Sequence, residues 1–254
     1  MSALADTLGA DLERRFGGLR RLYGDAAYAR LRSARVAVVG LGGVGSWTAE
    51  ALARSGVARL VLIDFDHIAE SNINRQVQAL GATVGQAKGQ ALRERIADIH
   101  PGCEVREVDD FVTPDNWPGL LDAPVDVLVD ACDQVRAKAA LAVWSLAERV
   151  PLVCVGAAGG KRQAQRVEVD DLAATTHDPL LASLRQRLRK LHGAPRHGPI
   201  GLHADACASD GSLNCSGYGS SVTVTATFGM VAAGEAIELL LASASLQGGA
   251  KFCL

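Results

Sequence analysis

The chain has 254 residues, a length that fits one or two domains, and it is 48% hydrophobic and 21% charged, an ordinary globular balance. Its net charge of −2 excludes polyanion binding through bulk charge, so any RNA contact must use a local patch. Six scattered cysteines form no CxxC pair, which excludes a zinc of the paired-CxxC kind. No signal-peptide pattern opens the chain, and no charge-free apolar run reaches about 18 residues, so no membrane contact and a reducing cytoplasm are expected.

Residues 1–34 read as short helices, because Leu8, Leu12, Phe16, Leu19 and Leu22 recur at three- and four-residue steps. Arg14, Arg15, Arg20 and Arg21 interleave with that stripe and on pattern alone form a solvated face. Residues 36–39 are an apolar β-branched run. They lead into a turn carrying Gly40, Gly42, Gly43, Gly45 and Ser46, then a helix over 47–55 and a second apolar strand over 59–63 that ends on Asp64. Glycines let backbone N–H groups approach a phosphate, and the helix N-terminus that follows favours its negative charge. Asp64 falls near the spacing of about 20 residues expected of a ribose-binding acid.

That order suits NAD, FAD or ATP alike, and the following residues discriminate. Asp66, Asn72, Arg75 and Gln76 come directly after the second strand, and Lys88 lies just beyond. Amide donors and cations set there suit a triphosphate that releases pyrophosphate, because they neutralise charge on the departing group. Residues 85–100 read as a helix ended by Pro101, with Lys88 in its first turn, where the helix dipole disfavours a cation. That mildly favours a functional lysine over a plain surface one.

A third strand (104–108), a loop with Trp117 (114–121) and a fourth strand (125–130) follow, the last apolar enough for a parallel sheet buried on both faces. Asp133 sits at its carboxyl end, ahead of a helix over 135–149, where ligands of such sheets bind. It could hold a hard cation, cap the helix, or do both. A fifth strand (151–155) closes on small residues 156–160, and a sixth (166–169) is short. A helix over 178–192 carries Arg185, Arg187, Arg189, Lys190 and His192. With Lys161, Arg162, Arg166, Arg196 and His197 it makes the densest basic region, either a solvated face or a tRNA backbone patch. Residues 193–219 read as a long polar, glycine-rich connection holding Cys207 and Cys215. Residues 220–242 are ambiguous, β-branched at 222–225 and helical in composition beyond, and the tail from 248 reads as frayed.

The segments GLGGVGS (40–46) and DFDHIAESNINRQ (64–76), with Lys88, resemble the ThiF/MoeB/HesA superfamily, ATP-dependent adenylating relatives of the ubiquitin-activating enzymes. Within it, RRFGGLRRLYG (14–24), DDFVTPDN (109–116) and TVTATFG (223–229) look like the bacterial tRNA threonylcarbamoyladenosine dehydratases. The resemblance implies ATP and Mg²⁺ as cofactors, with Asp133 meeting the metal. It also implies a homodimer in which Arg15 reaches the ATP phosphates of the partner subunit, and one continuous helix over 220–242. It matches Cys215 to a cysteine position in the crossover loop of dehydratases linked to sulfur transfer, hence a possible sulfur-transfer partner. The loop looks shorter here and the motif after it is altered.

The expected architecture is one α/β unit over 1–254, with a doubly wound, mostly parallel, Rossmann-like sheet. N-terminal helices span 1–34, the nucleotide-binding core 35–170, and a crossover loop and C-terminal helix 171–254. The expected catalytic set is Arg15, Arg75, Lys88, Asp133 and Cys215. The expected activity is adenylation of threonylcarbamoyladenosine in the tRNA anticodon loop followed by cyclising dehydration. Three rivals are adenylation of a sulfur-carrier protein's C-terminus, an NAD-dependent dehydrogenase, which would leave Arg75, Gln76, Lys88 and Asp133 idle, and a non-catalytic nucleotide-binding scaffold.

Overall fold

The computed structural model of the chain describes residues 10–192, 200–204 and 219–247. Helix α1 (Leu12–Tyr23) opens on Asp11, whose side chain accepts the Arg14 N–H, and stops at Gly24, where φ is +84°. Helix α2 (Asp25–Leu31) follows at once. Between them they bury Phe16, Tyr28 and Leu31; of the described residues of the stripe expected here only Phe16 is buried, Leu12 and Leu19 are half-buried and Leu22 is exposed.

Strands β1 (Arg35–Val39), β2 (Arg59–Ile63), β3 (Glu104–Val108), β4 (Val127–Asp130) and β5 (Leu152–Val155) form a sheet with β6 (Val167–Asp171) and β7 (Ile200–Ala204), in the order β3-β2-β1-β4-β5-β7-β6. Every neighbouring pair is parallel except β6 with β7. Helices α3 (Gly45–Arg54), α4 (Lys88–Ile99), α5 (Val135–Glu148), α6 (Pro179–His192) and α7 (Val222–Gln247) complete the described elements.

Alternation along the strands sorts the core into two layers. Val36, Val38, Leu60, Leu62, Val127, Val129, Val153 and Val155 face α3, α4 and α7, while Ala37, Val39, Val61, Ile63, Leu128, Leu152 and Cys154 face α5 and α6. The chain winds outward from β1 to β3 with its helices on one face, then returns to lay β4 on the other side of β1 and winds on with α5 on the opposite face. The order reverses between β1 and β4, and a crevice opens there at the strands' carboxyl ends.

The structure refines several expectations. Helix α4 starts at Lys88 rather than 85, because Gly85 takes φ +88° and residues 85–87 pair back onto 67–68. Helix α3 starts at Gly45, two residues early. The connection read over 193–219 contains β7, which pairs with β5 and carries β6 into the sheet. A break at residue 170 falls inside β6. Residues 222–247 form one helix despite their β-branched start. Over residues 222–242 it is long and apolar enough to cross a membrane, and half of that stretch is buried within the fold. Phe228, Ala232, Ala236 and Leu240 on α7 are fully covered, which accounts for the apolar composition by packing on α3 and the sheet.

Candidate active site

The glycine turn is built by close approach. A side chain at Gly40, itself at φ +84°, would meet the backbone of Ala131 and Cys132 at 2.9 Å, and one at Gly45 would meet the Gly40 carbonyl oxygen at 1.8 Å. The floor of the turn is therefore the end of β4. At Gly43 the neighbours are Thr225 of α7 at 3.1 Å and the Arg75 stem at 3.2 Å. At Gly42 nothing lies within 4 Å, so the turn is open on that side. No side chain caps the start of α3, which leaves its first amides to a ligand.

Asp64 ties this turn to β2. Its Oδ2 accepts the Leu41 N–H at 2.5 Å and its Oδ1 accepts the Asp66 N–H at 2.8 Å. Oδ2 keeps a lone pair for a further donor. Lys88 is 5% exposed, and its Nζ lies 2.7 Å from Asp66 Oδ2 and 3.5 Å from Asp64 Oδ1. Two carboxylates thus hold a buried ammonium at the very start of a helix, the position where the dipole opposes it.

Arg75 lies alongside the turn, its Nη1 donating to the Ser71 carbonyl at 2.7 Å and to Asn74 Oδ1 at 2.9 Å, while its own carbonyl accepts from Trp47 Nε1. Asn72 caps a single 3₁₀ turn, its Oδ1 accepting the Ala69 N–H. Gln76 is buried, and its Oε1 accepts from Gln78 Nε2, which also donates to the Leu41 carbonyl. Ser46 Oγ accepts the Val77 N–H at 3.4 Å. The expected set Gly40–Ser46, Asp64, Asp66, Arg75, Gln76 and Lys88 is thus one connected assembly. Gln78, which links Gln76 to the turn, was not expected. A second glutamine two residues after Gln76 was its only signal.

Asp133 is exposed in the β4–α5 connection, directly after the residues that floor the turn. Beneath it sits a charged group that sequence reading missed. Asp130 and Lys138 are both fully buried and paired at 3.1 Å, with Cys132 and Cys154 against the same carboxylate. Burial pushes both thiols up, more than the ammonium pulls them down. Burial alone would lower the Lys138 ammonium, but Asp130 holds it above its usual range.

Arg15, expected to serve the phosphates of a partner subunit, lies apart from the assembly of its own chain. Its Nη1 donates to the carbonyls of Asp98 and Ile99, at 2.5 and 2.8 Å, at the far end of α4, roughly 16 Å of helix rise from Lys88. Lys161 is not a surface cation. It is 5% exposed, its Nζ lies 2.8 Å from Asp178 Oδ2 and 5.4 Å from the Phe228 ring, and Asp178 caps α6 by accepting the Leu181 N–H. Arg185 and Arg187 are partly buried, with Arg185 bonded to the Leu172 carbonyl and to Thr175 Oγ1. The exposed basic residues of this region are Arg162, Arg166, Arg189 and Lys190. Cys207, Cys215, Arg196, His197 and the side chain of His192 lie outside the described residues.

A profile of the ThiF family matches residues 15–252. The tRNA threonylcarbamoyladenosine dehydratase of Escherichia coli K12 is 42% identical over 258 residues, covering 92% of this chain and 96% of that protein. The enzyme of the same name from Haemophilus influenzae is 39% identical over 245 residues, covering 90% and 94%. The crystal structure of the E. coli dehydratase, TcdA, in complex with ATP superposes with a TM-score of 0.86 at 42% identity, covering 94% of this chain and 99% of that one.

Proposed function

The chain belongs to the ThiF family, and from that membership we propose that it is an ATP-dependent tRNA threonylcarbamoyladenosine dehydratase, which activates a carboxylate by adenylation. The observation that carries the reading is the assembly around Lys88: a buried ammonium held by Asp64 and Asp66 against an open, uncapped glycine turn. An NAD site has no use for that cation or for Arg75. The relatives that match over nine-tenths of the chain carry the substrate's name, and one of them binds ATP in its crystal structure.

The steps follow from the residues. The phosphates lie on the amides of residues 40–46, with a ribose hydroxyl on the remaining lone pair of Asp64. The threonyl carboxylate is already ionised near pH 7 and needs no general base. It attacks the α-phosphorus, and the bond to pyrophosphate breaks. Lys88 and Arg75 offset the charge that develops on the leaving group, Lys88 exchanging a carboxylate contact for a phosphate one. A nucleophile in the same modified nucleoside then attacks the acyl carbon and expels AMP. Orientation alone suffices for that closure. A divalent ion here would sit on a carboxylate together with the phosphates, the usual habit of magnesium. Asp133 would be that carboxylate, and the ion would neutralise phosphate charge.

Arg15 lies too far from Lys88 in its own chain to share a nucleotide with it, which supports a homodimer whose site is completed by Arg15 of a second copy. Residues 1–254 would act as one unit in the cytoplasm, where tRNA is modified in bacteria. The test is mass spectrometry of nucleosides from threonylcarbamoylated tRNA incubated with the chain and ATP. Loss of one water should appear only with ATP and vanish in Lys88→Ala. An unchanged nucleoside mass would leave the sulfur-carrier reading in its place.

A further inference from the structure

Lys138 is among the largest fully buried side chains described, and no step above uses it. Its ammonium is completely engaged. It donates to the Val155 carbonyl at 2.7 Å, lies 3.1 Å from Asp130 Oδ2 and 3.4 Å from the Asp130 carbonyl, and approaches Cys154 Sγ at 3.7 Å. The carboxylate is equally engaged. Asp130 Oδ1 accepts the Cys132 N–H at 3.2 Å and the Cys132 thiol at 3.0 Å, and Oδ2 also takes the Cys154 thiol at 3.4 Å. One lysine from α5 therefore ties the last residue of β4, the last residue of β5 and the first turn after β4 into a single knot.

A buried ion pair is a poor source of stability, since desolvation offsets much of the attraction and apolar residues of similar volume often do as well. Its position suggests what it does instead. The residues pinned by Asp130 are the floor of the glycine turn: Ala131 accepts no side chain at Gly40 within 2.9 Å, its N–H is bonded to the Val39 carbonyl, and its Cβ lies 3.3 Å from the position a side chain at Gly45 would take. Asp133 is the next residue after that floor. The amide of Cys132, which fixes the direction in which the chain leaves β4, is bonded to the same carboxylate.

We propose that Lys138 is a positioning residue of the adenylation step, tying the Asp130 carboxylate to the Asp130 and Val155 carbonyls so that the β4–α5 connection keeps both the floor of the glycine turn and Asp133 in register with the triphosphate. The proposal rests on the adenylation reading and adds to it a residue that touches neither ATP nor the acceptor. Without the ammonium, the Asp130 carboxylate is left buried with only an amide and two thiols as donors, and the Asp130 and Val155 carbonyls lose the donor they share.

The test compares wild type, Lys138→Met and Asp130→Asn/Lys138→Met by ATP–pyrophosphate exchange with threonylcarbamoylated tRNA, with thermal midpoints in parallel. Lys138→Met should lose about 10–100-fold in kcat, the usual cost of removing a supporting contact. Its KM for ATP should change far less than kcat, because the amides of the glycine turn remain. The double variant, which leaves no orphaned charge, should recover thermal midpoint and stay slow. If Lys138→Met does not fold, the double variant carries the comparison alone. Wild-type kcat in Lys138→Met, with only a lower thermal midpoint, would reduce the lysine to a structural role and overturn the inference, as would full activity in the double variant. Absence of exchange in wild type would instead remove the adenylation reading, and this inference with it.

Discussion

Acid should release the N-terminal helices through His100. The ring is fully buried between α1 and the end of α4, edge-on to Phe16 at 4.6 Å. Its Nε2 lies 2.6 Å from Arg32 Nη1. The guanidinium can only donate, so Nε2 is the acceptor, and the proton of the neutral ring sits on the buried Nδ1, towards the Val57 backbone. Burial first, then the charges of Arg32 and Arg15, lower the imidazole from 6.5 to about 4. The unfolded chain binds a proton at 6.5 while the folded chain declines it until about 4, so between those values the unfolded state holds more protons and stability rises with pH. The contribution is complete above 6.5 and is lost as pH falls towards 4. At about 1.4 kcal/mol per pH unit, that gap amounts to about 3 kcal/mol, a large share of the 5–15 kcal/mol typical of a domain. The assay is guanidinium unfolding at several pH values between 7.5 and 4 for wild type and His100→Gln, whose amide oxygen still accepts from Arg32 and does not titrate. Carboxylates act on both curves alike, so the difference isolates the ring. Wild type should lose about 3 kcal/mol more than the variant across that range. Parallel curves would refute the argument.

Other outcomes follow from the geometry. Gly42→Ala should fold with an unchanged thermal midpoint yet lose ATP affinity in calorimetry, because its Cβ meets nothing in the protein but enters the face left open to a ligand, whereas Gly45→Ala should fail to fold soluble protein. Lys161→Met should cost about 3–5 kcal/mol in denaturant unfolding by leaving Asp178 buried and unpaired, and a neutral effect would restore it to the surface. Reversal of the exposed Arg189 and Lys190 to Glu should weaken tRNA binding and flatten its salt dependence by about 0.7–0.9 log units per lost phosphate contact, with ATP affinity unchanged; an unaltered slope would move the tRNA footprint elsewhere. Arg15→Ala mixed with Lys88→Ala should recover activity that neither variant has alone, and its absence after subunit exchange would argue against a shared site.

The assembly around the glycine turn was legible in the sequence because its signals are local. Apolar β-branched runs mark β1, β2 and β4, glycines mark a turn with no room for a side chain at Gly40 or Gly45, and Asp64, Arg75, Gln76 and Lys88 follow within one βαβ excursion. Strand β7 was not legible, since five residues inside a polar, glycine-rich connection carry too little pattern to separate a strand from a loop. Its pairing with β5 and β6 comes from distant parts of the chain.

The charges were misread for a related reason. Lysine and arginine are almost never fully buried unless paired, so a sequence that cannot show the partner assigns them to solvent by default. Lys138 lies in a helix of alanines and leucines, and its partner Asp130 stands on the preceding strand. Lys161 sits among other cations, and its partner Asp178 is 17 residues on, at the start of α6. Both lysines occupy the carboxyl ends of central strands, Lys138 beside β4 and β5 and Lys161 just after β5, where the sheet opens into the crevice. An apolar side chain at either place would cost less desolvation, but it could not fix the direction of a loop by bonding a carboxylate together with two carbonyls, as Lys138 does, or with the Ala157 carbonyl, as Lys161 does. The lysines that pin these two loops are therefore ones that composition reads as surface, and variants at Lys138 and Lys161 probe that pinning where variants at the glycines probe only the turn.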